Sequence, residues 1–216
     1  MATARRLVRR ALRKVKPRVR LDTDERRLQL LGLARRVFSD RSYDEVSIDD
    51  LAREAKISKG LLYHYFPTKR DLYVAALRVI ADELVARVNA ISQELPPADR
   101  VRAGIDAYLD HITLHARAFV ALMRGGIGSD PEVAQVIENV RRQLSDQFLD
   151  GSPFAPLLAN NPRFAIAVRG WIGFVEQVSI DWCVTPRLPR DELRDLLSQI
   201  LFAIIGSIAP QILRLA

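Results

Sequence analysis

Apolar residues recur at intervals of three and four along almost the whole chain, and the alternation typical of β-strands is absent. This spacing places apolar side chains along one face of a helix. Capping residues, glycines and prolines divide the pattern into separate helices. The predicted helices cover residues 22–38, 58–65, 68–94, 101–124, 130–149, 161–183 and 191–215, with a further short helix that begins at residue 47. The pattern therefore predicts an all-α fold.

Several predicted helices begin at clear capping signals. Ser47 with Asp50, and Thr68 with Asp71, have the spacing of a capping box, in which each side chain bonds the backbone of the other residue. Asp130 precedes a proline, which is favoured at the first helical position because no backbone donor is needed there. These signals predict helix starts close to residues 47, 68 and 130.

Residues 48–67 have the pattern of a helix-turn-helix, in which two short helices are joined by a three-residue turn. The positions that must pack the two helices on each other and on the first helix are all apolar: Ile48, Leu51, Ile57 and Leu62. Ala52 lies where the helices cross closely and must be small. The second helix of such a unit inserts its N-terminal residues into the major groove of DNA. An ordinary helical hairpin is the alternative interpretation.

The residues of this unit carry a family resemblance. They are the runs Ser47-Ile48-Asp49-Asp50-Leu51-Ala52-Arg53-Glu54-Ala55 and Ser58-Lys59-Gly60-Leu61-Leu62-Tyr63-His64-Tyr65-Phe66, followed by Lys69 and Leu72. Over residues 24–75 the chain resembles the DNA-binding domain of TetR-family repressors. The resemblance implies an N-terminal three-helix DNA-binding domain over residues 22–67. It also implies a C-terminal helical domain over residues 68–216 that binds a ligand and dimerises.

Two positions depart from the family pattern. Lys56 stands in the turn, where the family usually has glycine. A left-handed conformation costs a non-glycine residue about 1 kcal/mol, so the turn is expected to be slightly strained. Leu61 stands where a small hydroxyl residue is usual. One hydrogen bond to DNA is therefore missing, and the operator sequence does not follow from the resemblance.

Side-chain chemistry and the resemblance together give the candidate DNA contacts. Lys59, at the start of the recognition helix, can reach guanine O6 and N7 in the major groove. Gly60 allows the backbone to approach the groove, and Leu61 can contact a thymine methyl group. The candidates for contacts with the phosphate backbone are Ser47, Ser58, Tyr63, His64 and Lys69. Tyr65 and Phe66 are predicted to pack in the core.

The last two predicted helices are too apolar for ordinary surface helices. Their apolar positions are Ile172, Val175, Val178 and Ile180 in the first, and Leu193, Leu197, Ile200, Leu201, Ile204, Ile205 and Ile208 in the second. Two such helices from each subunit would form a four-helix homodimer interface, since obligate interfaces are apolar. The alternative is that both helices are buried in the core of one protomer.

Large apolar side chains between the DNA-binding unit and this interface are candidates for a ligand cavity. They are Tyr108, Phe119, Met123, Phe148, Trp171 and Phe174. Plain core packing is the alternative for each of them. An apolar lining fits a lipid-like, aromatic or terpenoid effector. The family resemblance implies that effector binding separates the two recognition helices and releases the operator.

The net charge of +7 is concentrated at the N-terminus. Residues 1–20 contain nine basic side chains and no acidic one, so the rest of the chain is close to neutral. Concentrated basic charge is typical of a segment with a polyanionic partner. We predict that residues 1–21 form a flexible arm that contacts DNA. A passive tail, an amphipathic helix on an anionic membrane and a targeting segment are the alternatives.

Other site chemistry is weakly indicated. His111 and His115 have the spacing of a two-ligand metal site, but no Cys or His cluster accompanies them, so packed or surface histidines are favoured. Cys183 is predicted to be a buried apolar residue. The sequence contains no paired carboxylates, activated nucleophile or phosphate-binding loop that would indicate an enzyme, and no cofactor or metal is expected.

The sequence therefore predicts a cytoplasmic bacterial transcription regulator, a repressor by family resemblance. It should bind palindromic double-stranded DNA as a homodimer and be released by a small apolar effector, with no membrane partner. The alternative is a helical protein that binds nucleic acid or membrane surfaces nonspecifically through its basic arm. Binding of that kind would survive mutation of Tyr63 and Lys59 but not loss of residues 1–20.

Overall fold

The computed structural model describes residues 23–150 and 161–208, with side chains described up to residue 147 in the first range. All regular elements in these ranges are helical, which confirms the all-α prediction. The basic arm of residues 1–21 and the predicted end of the last helix beyond residue 208 lie outside the described residues.

The described chain forms nine α-helices. They are α1 Thr23–Asp40, α2 Ile48–Glu54, α3 Lys59–Tyr65, α4 Lys69–Asn89, α5 Pro97–Leu114, α6 Ala116–Arg124, α7 Pro131–Asp150, α8 Pro162–Val184 and α9 Arg190–Ile208. A 3₁₀ turn, Gly126–Ser129, connects α6 to α7.

The helix starts follow the capping signals of the sequence. At α4 the capping box is complete, because the Asp71 N–H donates to Thr68 Oγ1 at 3.0 Å and the Thr68 N–H donates to the Asp71 carboxylate at 3.1 Å. At α7 the Asp130 carboxylate accepts from the N–H groups of Glu132 at 3.0 Å and Val133 at 3.3 Å. These bonds satisfy backbone donors that have no partner inside the helix.

Two predicted helix boundaries are wrong. The fourth helix ends at Asn89, five residues earlier than expected, and α5 begins at Pro97, so the two prolines open a helix rather than only stopping one. The predicted helix 101–124 is two helices, because the backbone of His115 leaves the helical conformation with φ −124° and ψ 28°. Its N–H donates to Ile112 O at 3.2 Å, which closes α5 with a tight turn.

The helix-turn-helix shares one core with the helix that follows it. Leu51, Leu62 and Phe66 are buried together with Ala34 of α1 and Leu72 of α4. The same cluster continues along α4 to buried valines at the start of α7. The helix-turn-helix, α4 and the start of α7 therefore pack around one continuous core.

A second core joins α5, α8 and α9. Leu109 of α5 and Leu197 of α9 are both fully buried and lie in one cluster with Val175 of α8. Phe164 and Leu201 form a neighbouring cluster between α8 and α9. In the part of the chain that the structure describes, no helix is both long and apolar enough to cross a membrane.

Candidate nucleic-acid interface and ligand cavity

Hydroxyl groups cap both helices of the helix-turn-helix. The Asp50 N–H donates to Ser47 Oγ at 3.0 Å, and the Leu61 N–H donates to Ser58 Oγ at 3.2 Å. The Ser47 hydroxyl also donates to the Asp50 carboxylate at 2.7 Å. Both caps hold the first turns of short helices that have little intrinsic stability of their own.

The turn between α2 and α3 has the strained conformation that the sequence predicts. Lys56 has φ 57° and is the one non-glycine residue with positive φ among the described residues. The turn is held by the Ile57 N–H, which donates to Ala52 O at 3.0 Å. This left-handed conformation is unfavourable for most residues because of their Cβ atom, whereas glycine adopts it readily.

We therefore expect Lys56→Gly to raise the free energy of unfolding by about 0.5–1 kcal/mol, because relief of the left-handed strain outweighs the extra chain entropy of glycine. Urea unfolding followed by circular dichroism measures the change. Glu54→Gly, at the helical end of α2, is the matched control and should destabilise by about 1 kcal/mol. Equal losses in the free energy of unfolding for Lys56→Gly and Glu54→Gly would show that the backbone of Lys56 is unstrained.

The candidate DNA contacts lie on the exposed side of this unit. Ser47, Ser58, Lys59, Gly60, Tyr63 and His64 are exposed, and Leu61 and Lys69 are partly buried. Tyr63 retains 44% of its accessible surface, which is high for a tyrosine beside a buried core. Tyr65 packs partly buried against the core and Phe66 is 3% exposed, as predicted.

Two of the predicted DNA-contacting lysines have partners within the protein that the sequence did not indicate. The ammonium of Lys59 forms an ion pair with the Asp49 carboxylate of α2. Both side chains are more than half exposed, and exposed pairs of this kind contribute little, so DNA can displace Asp49. The Lys69 ammonium lies 3.9 Å from the centroid of the Tyr43 ring, and burial lowers the pKa of Lys69 below its usual value.

A cavity of about 810 Å³ lies between the helices that follow the helix-turn-helix. Its wall is formed mainly by apolar side chains from α4, α5, α6, α7, α8 and α9, and it extends to Phe38 and Ser39 at the end of α1. This volume falls within the range of small-molecule binding sites.

Four of the six predicted cavity residues line this space: Tyr108, Phe119, Met123 and Trp171. The Trp171 indole N–H donates to Leu197 O at 3.1 Å, so the ring contributes only apolar surface. Phe174 does not line the cavity and is 36% exposed on the outer side of α8. The side chain of Phe148 lies outside the described residues. Helical periodicity alone could not tell the inner from the outer side of α8, because both are apolar.

The cavity wall also contains polar groups that the sequence prediction missed. Arg141 donates two hydrogen bonds to the Glu176 carboxylate, at 2.8 and 2.7 Å. His111 is 7% exposed, and burial lowers its pKa from 6.5 to about 4. Its ring centroid lies 5.4 Å from that of His115. Within the described ranges no group of three His, Cys, Asp or Glu side chains is placed so that it could hold a metal ion.

The apolar positions on which the dimer prediction was based are mostly buried inside the protomer. Leu193, Leu197, Leu201 and Ile205 of α9 are at most 7% exposed. A different set of residues faces outward, and we call it the outer face of α8 and α9. It comprises Ile166, Gly170, Gly173, Phe174, Leu196 and Ala203. The structure therefore favours the alternative for these positions, which is burial in the core of one protomer, and the homodimer through the last two helices stays a prediction.

Comparison with known proteins identifies the family to which this architecture belongs. The model of the tetracyclin repressor-like C-terminal domain matches residues 97–204, half of the chain, and the model of bacterial regulatory proteins of the tetR family matches residues 30–76. The chain belongs to the TetR family. Its relatives are transcriptional regulators and not enzymes.

Individual relatives agree with this assignment. The HTH-type transcriptional activator FasR of Mycolicibacterium smegmatis is 33% identical over 132 residues, which are 61% of this chain and 60% of FasR. The regulator EthR of the same organism is 33% identical over 98 residues, or 43% of each protein. The chain thus matches about two-fifths to three-fifths of the length of these relatives. A tetR-family regulator from Streptomyces coelicolor has a solved structure with a TM-score of 0.78 and 35% identity, covering 88% of this chain and 85% of that one.

Proposed function

We propose that this TetR-family regulator binds a palindromic operator as a homodimer and is controlled by a small, mainly apolar effector. The observation that carries the proposal is the exposed recognition helix α3, which presents Lys59, Gly60 and Tyr63 on a unit held by the buried core. Exposed residues at the N-terminus of such a helix are those that reach base edges in the major groove.

Gly60 supports the DNA-facing role of α3 in a second way. A Cβ atom added there would meet only the Ser58 hydroxyl, at 4.0 Å, and its backbone does not have positive φ. The described protein itself therefore does not require glycine at this position. Close approach of a DNA backbone or base is the reason we assign to it.

The outer face of α8 and α9 is the proposed dimer interface. Ile166, Phe174 and Leu196 expose 73%, 36% and 38% of their surface, and several exposed apolar side chains on one face are typical of a surface that a partner covers. Gly170 and Gly173 have open space at the position of a Cβ atom, so a second helix can approach closely there. A dimer of this kind must present its recognition helices about 34 Å apart, because successive major grooves on one side of DNA have that spacing.

The effector is assigned to the 810 Å³ cavity, and its binding is proposed to release the operator. The cavity is bounded by α4, which also packs on α1 of the DNA-binding unit. We propose repression as the outcome of operator binding, in the bacterial cytoplasm. FasR is named an activator, so the position of the bound sites relative to promoters decides between repression and activation.

Selection of bound fragments from genomic DNA at moderate salt, followed by sequencing, tests the proposed function. An enriched palindrome with half-sites about one helical turn apart supports a dimeric regulator. Diffuse recovery without a motif would contradict it and would support nonspecific binding through the basic residues of positions 1–20.

We expect Lys59→Ala and Lys69→Ala to weaken DNA binding in different ways. Loss of Lys59 should reduce the binding free energy by about 1–3 kcal/mol and relax the preference for one base pair of the operator. Loss of Lys69 should weaken binding to all DNA sequences equally and reduce the slope of log affinity against log salt concentration by about 1. Titration of operator and scrambled DNA at several salt concentrations measures both effects. Arg187→Ala, which removes one exposed positive charge between α8 and α9, is the control. A change of specificity in Lys69→Ala with an unchanged salt slope would contradict the assignment.

A further inference from the structure

The cavity opens to solvent beside the connection between α4 and α5. Three of the described lining residues are exposed, and all three lie between the end of α4 and the start of α5: Gln93, Pro96 and Pro97. The other described lining residues are buried or partly buried. We call the opening at these three residues the cavity mouth, and a ligand that enters there passes them first.

From the mouth the cavity runs along α4 to the DNA-binding unit. The lining residues of α4 extend from Tyr73, near its start, to Val88, near its end. Val88 follows Tyr73 by fifteen residues, which corresponds to about 22 Å along a helix. The Tyr73 ring packs edge-on against that of Phe38, with 4.9 Å between the centroids, and both belong to the core of the helix-turn-helix. The cavity is therefore elongated, with its mouth at one end and the DNA-binding unit at the other.

Arg100, near the start of α5, places a positive charge at this mouth. It lines the cavity, is partly buried, and donates a hydrogen bond to Gln93 Oε1 at 2.8 Å, which locates its guanidinium beside the mouth. The Gln93 side chain is a neutral amide. In the described part of the chain no carboxylate pairs with Arg100. The cation on the rim of an apolar cavity is therefore available to an anion.

The other arginine and carboxylate side chains of the described cavity wall neutralise each other. Arg141 donates two hydrogen bonds to Glu176, at 2.8 and 2.7 Å. The acidic residues close to the mouth in the sequence, Glu94 and Asp99, do not line the cavity, and Asp99 pairs with Arg102 at 3.4 Å. These groups therefore leave one positive charge on the wall, and it lies at the mouth.

We propose that the effector is an amphipathic anion, with a carboxylate or phosphate head group that binds Arg100 at the cavity mouth and an apolar tail that extends along α4. A guanidinium binds the oxygens of either group through two parallel hydrogen bonds, which are stronger than its bond to the neutral amide of Gln93. At the mouth the head group keeps part of its hydration, so the cost of burying a charge is avoided. The inference rests on the proposed function and adds the chemical class and orientation of the effector.

Binding of four probes with the same chain length tests this inference: decanoate, decyl phosphate, 1-decanol and decylamine, at pH 8 with the full chain. Tryptophan fluorescence reports binding, since Trp171 lines the cavity. We expect at least one of the two anions to bind about five times more tightly than 1-decanol, and decylamine to bind most weakly. The anion that binds more tightly identifies the head group.

Arg100→Gln should weaken binding of that anion about fivefold and leave the affinity for 1-decanol within about twofold, because it removes the charge and not the apolar wall. Arg102→Gln is the matched control. It removes the same charge two residues further along α5, outside the cavity wall. Its affinity for the anion should stay within about twofold of the original protein.

Tighter binding of 1-decanol or decylamine than of both anions, or equal losses in Arg100→Gln and Arg102→Gln, would overturn the inference and leave the cavity as an apolar ligand site. Unchanged anion binding in Arg100→Gln would also overturn it and would assign that binding to other basic residues, such as those of positions 1–20. If none of the probes binds, both the inference and the apolar-effector part of the proposed function fail, while DNA selection still tests the regulator separately.

Discussion

Replacement of Gly170 and Gly173 together by glutamine is expected to convert the proposed homodimer into a monomer and to lower operator affinity by about two to four orders of magnitude. Two linked DNA-binding units gain this much over one, because the second half-site is bound at a high effective concentration. Glutamine at these positions blocks close approach of a partner helix. Sedimentation equilibrium gives the oligomeric state, and titration of operator DNA gives the affinity.

The double substitution should not disturb the protomer. An added Cβ atom at Gly170 or Gly173 meets no atom within 4 Å, and both residues lie inside α8. Glutamine favours helix relative to glycine by about 0.5–1 kcal/mol, so the protomer should become slightly more stable. Gly32→Gln in α1 is the control, since Gly32 is also helical with open space around it, and it should leave the dimer intact. A double variant that remains a dimer would place the interface elsewhere.

The stability of the protein is expected to fall as the pH decreases from 6.5 to 4, and His111 should cause much of this loss. Burial lowers the pKa of His111 from 6.5 to about 4, assisted by His115 and Arg87 and opposed by Glu83. The folded state therefore favours neutral His111, while the unfolded chain takes up a proton below pH 6.5. The contribution of neutral His111 to the free energy of unfolding is complete above pH 6.5. It is smaller by about 2 kcal/mol at pH 5 and by about 3 kcal/mol at pH 4.

Urea unfolding at pH 7.5, 6.5, 5.5 and 4.5 can measure this dependence in the original protein and in His111→Leu at one protein concentration. The variant should lose much less stability over the same range. Met123→Leu changes another cavity-lining side chain without removing a titratable group, so it should retain the original slope. Carboxylates such as those of Asp130 and Glu138 have lowered pKa values and should lose their contribution only at more acidic pH. Parallel curves for the original protein and His111→Leu would contradict the assignment.

Features that depend on neighbouring residues were predicted well from the sequence. The capping bonds of Thr68 and Asp130, the helix-turn-helix packing of Leu51 and Leu62, and the positive φ of Lys56 all appear in the structure. Each depends on interactions within a few residues or on a short motif with strict packing requirements. The roles of Lys59 and Lys69 at DNA remain predictions, and so do the domain limits at residues 67 and 68.

Helix ends inside the second half were predicted less well. The break at His115 has no proline or glycine to announce it, since the chain remains apolar and periodic through that position. The end of α4 at Asn89 is likewise seven residues before Pro96. Both helix ends bring cavity-lining residues of α5 and α6 into position. Contacts between helices determine where these helices end, and the helix propensity of the local sequence does not.

The sequence by itself determined the helical class of the protein, the position of the helix-turn-helix and the family to which the chain belongs, because periodicity and short-range motifs carry that information. Only the tertiary structure decided which side of an apolar helix faces inward. It assigned Leu197 to the protomer core, Phe174 to the outer face of α8 and α9, and Ser39 to the cavity wall. Burial is a property of what packs against a residue, and for helices with apolar residues on several sides the neighbours cannot be read from the residue's own sequence position.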